Sequence, residues 1–324
     1  MRHALGIDLG GTKILAGVID LERGKVLSTA KQRSQVDQGP DELLARLVET
    51  SREAIQAAKG VRPEAVGIGA PGQIDYKRGV LILGPNLGQH MDNLPLASLL
   101  GKRLDLPVTL GNDVQVAAVG EHRFGAGKGH DDFMCVFVGS GIGGAIVQGG
   151  KLRLGASNTA GEIGHIVVDV GGRLCGCGGQ GHLEAYASRS SVVRAILSSI
   201  RAGRESVLRE AVSLPLPETP SGTALRSKAI AKAVAEGDAL TLEAIADAAR
   251  YLGAGLVSAI NFYNPGRIIL GGGFVDAVDL LFVQAEARAR AEALMAAGRS
   301  VEIVRSALGD DAGIMGAAVL ASGG

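Results

Sequence analysis

Two short glycine runs, each set between apolar β-rich segments, constrain this chain more than any other feature. Asp8-Leu9-Gly10-Gly11-Thr12-Lys13 separates His3–Leu9 from Ile14–Asp20, and Gly139-Ser140-Gly141-Ile142-Gly143-Gly144 separates Phe133–Val138 from Ala145–Gln148. β-Branched and apolar residues on both sides of a glycine turn predict a hairpin in each place. The pattern occurs near the start of each half of the sequence, a weak internal duplication that predicts two related lobes around a cleft. The length of 324 residues agrees, being long for one compact core.

Between these turns, strand and helix signals alternate. Lys25–Arg33 predicts a third strand, and Pro40-Asp41-Glu42 opens a helix through Lys59, with proline and acids suited to a first turn. Ala65–Ala70 reads as a short buried strand that stops at Pro71-Gly72, and Pro107–Leu110 leads into Gly111-Asn112-Asp113 and then a helical stretch to about Arg123. Arg201–Ser227 mixes Pro, Ser, Thr and charge and reads as a loop-rich excursion. A helix over Ala239–Phe262, strands at Arg267–Leu270 and Val301–Val304 and a small-residue helix over Ala312–Ala321 follow. Such alternation predicts an α/β fold.

Glycine numbers 49 of 324 residues, aromatics make up 3% and tryptophan is absent. The glycines gather where apolar runs end, where backbone turns tightly or approaches a ligand. Lys plus Arg and Asp plus Glu are 33 each, which gives no support for a nucleic-acid face or a membrane surface. The amino terminus lacks the apolar core of a secretory signal, and no run reaches the length of a membrane span. Cys135, Cys175 and Cys177 are too few for a disulfide framework, so a cytoplasmic protein is expected.

Paired glycines let backbone N–H groups approach an anion, with hydroxyls from Thr12 and Ser140 as further donors. The residues alone equally permit ordinary hairpins. Gly139–Gly144 also matches the dinucleotide fingerprint G-x-G-x-x-G, but that motif opens a helix, whereas a strand is expected here. Gly125-Ala126-Gly127-Lys128-Gly129 lacks the Ser or Thr of a P-loop. With a third glycine cap at Gly271–Gly273, the turns suggest a nucleotide laid across a cleft. Four ligand-type residues within 18 positions, His165, Cys175, Cys177 and His182, fit a closed tetrahedral zinc site. Reduced thiols in a glycine-rich loop are the bland alternative.

DLGGTK, GSGIGG, GND at 111–113 and GEIGH at 161–165 resemble the ROK family of repressors and sugar kinases. CGCGGQGHLEAYAS at 175–188 and LGDDAGIMGAA at 308–318 extend the resemblance over nearly the whole chain. It implies a two-lobed actin-like (duplicated ribonuclease H-like, hexokinase-type) α/β fold with a central cleft. The small lobe is expected over 1–113, completed by about 309–324, and the large lobe over 114–308, with a zinc-loop insertion at about 165–182.

The implied activity is ATP-dependent phosphorylation of a hexose, most readily glucose at its 6-hydroxyl. N-acetylmannosamine, N-acetylglucosamine and fructose are alternative acceptors, and polyphosphate an alternative donor. Asp113 matches the family's catalytic base, and Asn112 suits two neighbouring sugar hydroxyls. Glu162, His165 and Glu184 match sugar-binding residues, and Gly72 and Asn86 stand where the family touches sugar. The donor is expected at Asp8, Gly10, Gly11, Thr12, Gly139, Ser140, Gly141, Gly271 and Gly272, with Mg2+ held by Asp8 and the phosphates. Structural Zn2+ would take His165, Cys175, Cys177 and His182, the last in place of the family's usual third cysteine. The resemblance also implies a homodimer. The family's repressors carry an additional N-terminal DNA-binding segment, for which a phosphate turn within the first ten residues leaves no room, so a sugar-responsive regulator is the disfavoured alternative.

Overall fold

The structure, a computed structural model, describes residues 1–84, 87–88, 91–210 and 225–323. The chain divides into two compact units, one formed by 1–132, 145–161 and 310–324 and the other by 133–144 and 162–309. Among the described residues no helix is long and apolar enough to cross a membrane.

Strands β1 (His3–Leu9), β2 (Ile14–Asp20), β3 (Lys25–Gln32), β4 (Val66–Ala70), β5 (Gln73–Asp75), β6 (Val80–Leu83) and β7 (Val108–Asn112) fall in the first unit. Five of them form a sheet in the order β3-β2-β1-β4-β7. The glycine turn makes β1 and β2 antiparallel, while β4 lies parallel to β1 and β7 parallel to β4. β5 and β6 form a separate short hairpin. Parallel strands need crossovers, and the helix Pro40–Ala57 supplies one, burying Leu43, Leu44, Leu47 and Val48 in the apolar core.

The other face of β1 and β4 meets the helix Ala312–Ala321 at very short range. A Cβ at Gly6 would stand 1.8 Å from the carbonyl oxygen of Ile314, one at Gly67 1.8 Å from that of Ala317, and one at Gly316 1.8 Å from that of Val116. These glycines are required by helix–sheet and helix–helix contact, not by a ligand. Part of the glycine excess is therefore packing.

Strands β8 (Phe133–Val138), β9 (Ile142–Gln148), β10 (Lys151–Leu152), β11 (Arg267–Gly271) and β12 (Glu302–Arg305) form a second sheet, in the order β10-β9-β8-β11-β12. β11 runs parallel to both β8 and β12. β9 begins at Ile142, three residues earlier than its sequence suggests, because the chain reverses within Gly139–Gly141, where Gly139 N–H donates to the Gly141 carbonyl at 2.9 Å. Gly143 and Gly144 lie in the strand.

The long helix Ala239–Tyr263 buries Leu252, Leu256 and Ile260 and stops at Asn264, which takes the left-handed conformation at φ 52°. In the 201–227 segment the described residues hold the end of the helix Arg189–Arg201, a short turn at Val207–Arg209 and the start of the helix Ser227–Ala235. Residues 211–224 of that expected excursion lie outside the described residues.

Candidate functional site

In the first unit, Asp8 occupies the second-to-last position of β1, ahead of the turn closed by Gly10 N–H donating to the Lys13 carbonyl. Its carboxylate rests against the first turn of the helix Ala312–Ala321: a Cβ on Gly313 would be 2.9 Å from Asp8 Cγ. The helix dipole favours a negative charge there. Burial nonetheless pushes the Asp8 carboxyl above the usual range, Lys13 opposes the shift and Asp310 adds to it. A recessed carboxylate of this kind fits a hydrated divalent cation bound with phosphates. Gly11 and Thr12 form the turn's outer end, Thr12 exposed.

Asp113 is the first residue of the helix Asp113–Phe124, directly after β7. Its Oδ1 accepts from Val114 N–H at 2.9 Å. Asn112 fixes this junction from the preceding position. Its Oδ1 accepts from Val114 and Gln115 N–H, a helix cap, and its Nδ2 donates to the Gly72 carbonyl at 3.1 Å. Both functional atoms of the Asn112 side chain, 9% exposed, are thus engaged with protein. Gly72 has φ 107°, and a Cβ there would stand 2.0 Å from the Leu83 carbonyl oxygen. That makes glycine obligatory on backbone grounds, whatever it touches. Asn86 lies outside the described residues.

Three further residues brace the junction, and no sequence signal announced them. The Tyr76 hydroxyl accepts from Asn112 N–H at 3.1 Å and donates to Gln115 Oε1. Gln115, 2% exposed, passes its amide N–H to the Asn158 carbonyl, and Asn158 Nδ2 reaches the Ile74 carbonyl. Burial pushes the Tyr76 phenol up to about 12, outweighing the lowering by Asn112 N–H, and the Asp113 charge adds to the rise. The phenol is neutral across the physiological range.

In the second unit, a short helical turn at Ile163–His165 follows Glu162, and the loop to Glu184 folds on itself. Val167 pairs with His182 and Leu174 with Gln180, while Cys175 N–H donates to the Gly179 carbonyl at 2.8 Å. These backbone pairings bring His165, Cys175, Cys177 and His182 together, their ligand atoms all within 4.8 Å of one another. His182 Nδ1 lies 3.4 Å from His165 Nδ1 and 3.2 Å from Cys177 Sγ. Tetrahedral zinc, with bonds of about 2.0–2.3 Å, holds its ligands roughly 3.3–3.8 Å apart, so two thiols and two imidazoles at this spacing fit the ion with slight contraction. Burial pushes the Cys175 thiol up to about 11, so metal binding there must release a proton. Tyr186 clamps the loop from below: its hydroxyl donates to Asp169 and accepts from Arg173 N–H, and Arg173 stacks over its ring.

Glu162 is half-buried, and burial pushes its carboxyl up, with His165 opposing and Glu184 adding. Glu184 begins the turn of helix Glu184–Ala187 and accepts from Ile142 N–H through Oε2 at 2.8 Å. Gly139 has open space where a Cβ would be, and Ser140 is exposed. Gly272, at φ 95°, lies over Val138 at the end of β8, and a Cβ on Gly271 would strike Ser306 and Phe137. The structure therefore gathers Gly139–Gly141, Gly271 and Gly272 around the end of β8, and Glu162, Glu184 and the four zinc-type ligands around the loop.

Comparison with known proteins supplies the relatives. The ROK family model matches residues 4–323. The glucokinase of Streptomyces coelicolor is 37% identical over 324 residues, covering 99% of this chain and 98% of its own. A ROK family glucokinase from Streptomyces griseus, solved in complex with glucose and AMPPNP, matches with a TM-score of 0.84 and 36% identity, covering 99% of this chain and 100% of that one. The ROK hexokinase from Thermus thermophilus matches with a TM-score of 0.79 and 30% identity, over 99% and 98% of the two chains. With an acid-bearing glycine turn, a capped Asn-Asp junction and a His/Cys loop on an actin-like α/β framework, this chain belongs to the ROK family.

Proposed function

We propose that this protein phosphorylates glucose with ATP, yielding glucose 6-phosphate and ADP. Its full-length likeness to glucokinases, one of them solved with glucose and an ATP analogue, supports the reading. The structural observation that carries the mechanism is the junction at Asp113, an acid fixed at a helix start by side-chain bonds rather than left on a loop.

Phosphoryl transfer asks the protein for positioning, charge neutralisation and removal of one proton. Asp113 takes the proton of the 6-hydroxyl as the oxygen attacks the γ-phosphorus and the bond to the β,γ-bridging oxygen breaks, releasing ADP. A positioned carboxylate base contributes on the order of 100- to 10,000-fold. Glu162, Glu184 and His165 take ring hydroxyls, for which half-buried carboxylates are strong acceptors. The glycine turns at Gly10–Thr12 and Gly139–Gly141, with Gly271 and Gly272, hold the donor phosphates. Mg2+, bound by Asp8 and the phosphates, would neutralise charge on the donor. Zn2+, if held by His165, Cys175, Cys177 and His182, would be structural, since a set of four protein ligands would leave no open position for water.

A coupled ADP-release assay across glucose, mannose, fructose, N-acetylglucosamine and N-acetylmannosamine, with ATP or polyphosphate as donor, tests the assignment. Glucose with ATP is expected to give the highest kcat/KM. A clear preference for an N-acetylated sugar or fructose would move the acceptor, and no phosphorylation of any hexose would overturn the reading.

A further inference from the structure

Two functional segments meet on the peptide of Ile142. Its N–H donates to Glu184 Oε2 at 2.8 Å, and its carbonyl oxygen lies only 2.0 Å from where a Cβ on Gly164 would stand. Gly164 belongs to the GEIGH segment between Glu162 and His165, so that segment packs backbone to backbone on the start of β9. The neighbouring Gly141 has no room for a side chain, because a Cβ there would be 2.4 Å from the same carboxylate oxygen. The other oxygen of Glu184 lies 3.8 Å from Cys175 Sγ. One carboxylate therefore spans the glycine turn and the His/Cys loop.

We infer that Glu184 is a positioning residue for the phosphate donor: by holding Ile142 N–H it sets the shape of the Gly139–Gly141 turn, whatever contact it also makes with sugar. The inference rests on the reading of that turn as donor-binding. A charge-assisted bond to a backbone N–H is among the stronger hydrogen bonds, and Ile142 is only 3% exposed. Without Glu184 that N–H is left buried and unpaired, and the turn must shift to satisfy it. Gly164 transmits the same constraint from the opposite side, so the sugar segment and the donor turn move as one packed block.

The test is AMPPNP binding to the full-length protein without sugar, measured by calorimetry, beside glucose binding without nucleotide. Wild type, Glu184→Ala, Glu184→Gln and Ser140→Tyr are compared at equal zinc content and after melting curves establish folding. Glu184→Ala is expected to weaken AMPPNP about tenfold or more, equivalent to about 1.4 kcal/mol or more, with Glu184→Gln intermediate because a neutral amide oxygen still accepts. If Glu184→Ala does not fold, Glu184→Gln alone decides, with a weakening of about threefold or more expected. AMPPNP affinity unchanged in the Glu184 variants while glucose affinity falls would overturn the inference, making Glu184 a sugar contact only. The Ser140→Tyr variant separates the two readings. If it keeps wild-type AMPPNP affinity, the donor-turn reading fails; if it loses AMPPNP while the Glu184 variants keep it, only the positioning role fails.

Discussion

The Asn112–Asp113 junction and the Glu162–Glu184 segment are built from opposite chemistry. The junction is locked by groups that stay neutral: the Asn112, Gln115 and Asn158 amides, the Tyr76 phenol and backbone carbonyls. The segment is built from carboxylates, thiols and imidazoles, several in mutual contact. Neutral bonds hold one geometry over a wide pH range, so the frame that positions Asp113 keeps its shape as the acid takes up or gives off a proton. A cluster of ionisable groups instead adapts to whatever binds it, whether metal or hydroxyls. The difference teaches that damage to the first region is geometric and damage to the second is electrostatic and metal-linked.

The largest effect is expected at Asp113. Asp113→Asn keeps the shape of the junction and removes the carboxylate base, so kcat should fall by on the order of 100- to 10,000-fold while glucose affinity, by calorimetry, changes by less than about threefold. A comparable loss of affinity would make Asp113 a binding group and dissolve the contrast.

Metal removal addresses the other region. Cys177→Ser, or chelation, should release about one zinc per chain by mass spectrometry and raise the glucose KM by about tenfold, with a smaller change in kcat at saturating glucose. Equal losses in both would mean that the loop also sets the chemistry.

Tyr76→Phe sharpens the comparison from the neutral side. It leaves Asn112 N–H and Gln115 Oε1 without a partner, a cost of about 1–3 kcal/mol in unfolding by denaturant. We expect kcat to fall about tenfold with glucose KM nearly constant, the signature of a misaimed base. A fall in stability with kcat intact would reduce Tyr76 to packing.

The smallest effect is alkaline. The folded state raises the Tyr76 pKa above its ordinary value of 10 to about 12, so the native state favours the neutral phenol. The stability it contributes is full below about pH 10 and is lost as pH rises through about 12. Stability measured from pH 9 to 12 should fall less steeply in Tyr76→Phe than in wild type, and identical slopes would show that this phenol is not linked to folding.

Much of this was legible in the sequence for a physical reason. Strand ends, glycine turns and the His/Cys spacing are local, so DLGGTK, GND and the 165–182 loop announced themselves within a few residues each. The bracing of the junction was not legible. Tyr76, Gln115 and Asn158 are 39 and 43 residues apart along the chain, and none sits in a motif. Glycine misled in part: Gly6, Gly67 and Gly316 look like ligand-approach residues in composition, yet they exist to let a helix touch backbone. Gly72 and Asn112 carry tight structural duties, a turn and a helix cap, beside the sugar contacts that the family resemblance implies.

The most direct measurement is a crystal structure of the wild-type protein with glucose and AMPPNP. A carboxylate oxygen of Asp113 should lie within about 2.6–3.2 Å of the glucose 6-hydroxyl, with Tyr76 still bonded to Asn112 N–H. The same complex with glucose ordered, but its 6-hydroxyl more than about 5 Å from Asp113 and engaged by another base, would contradict the account.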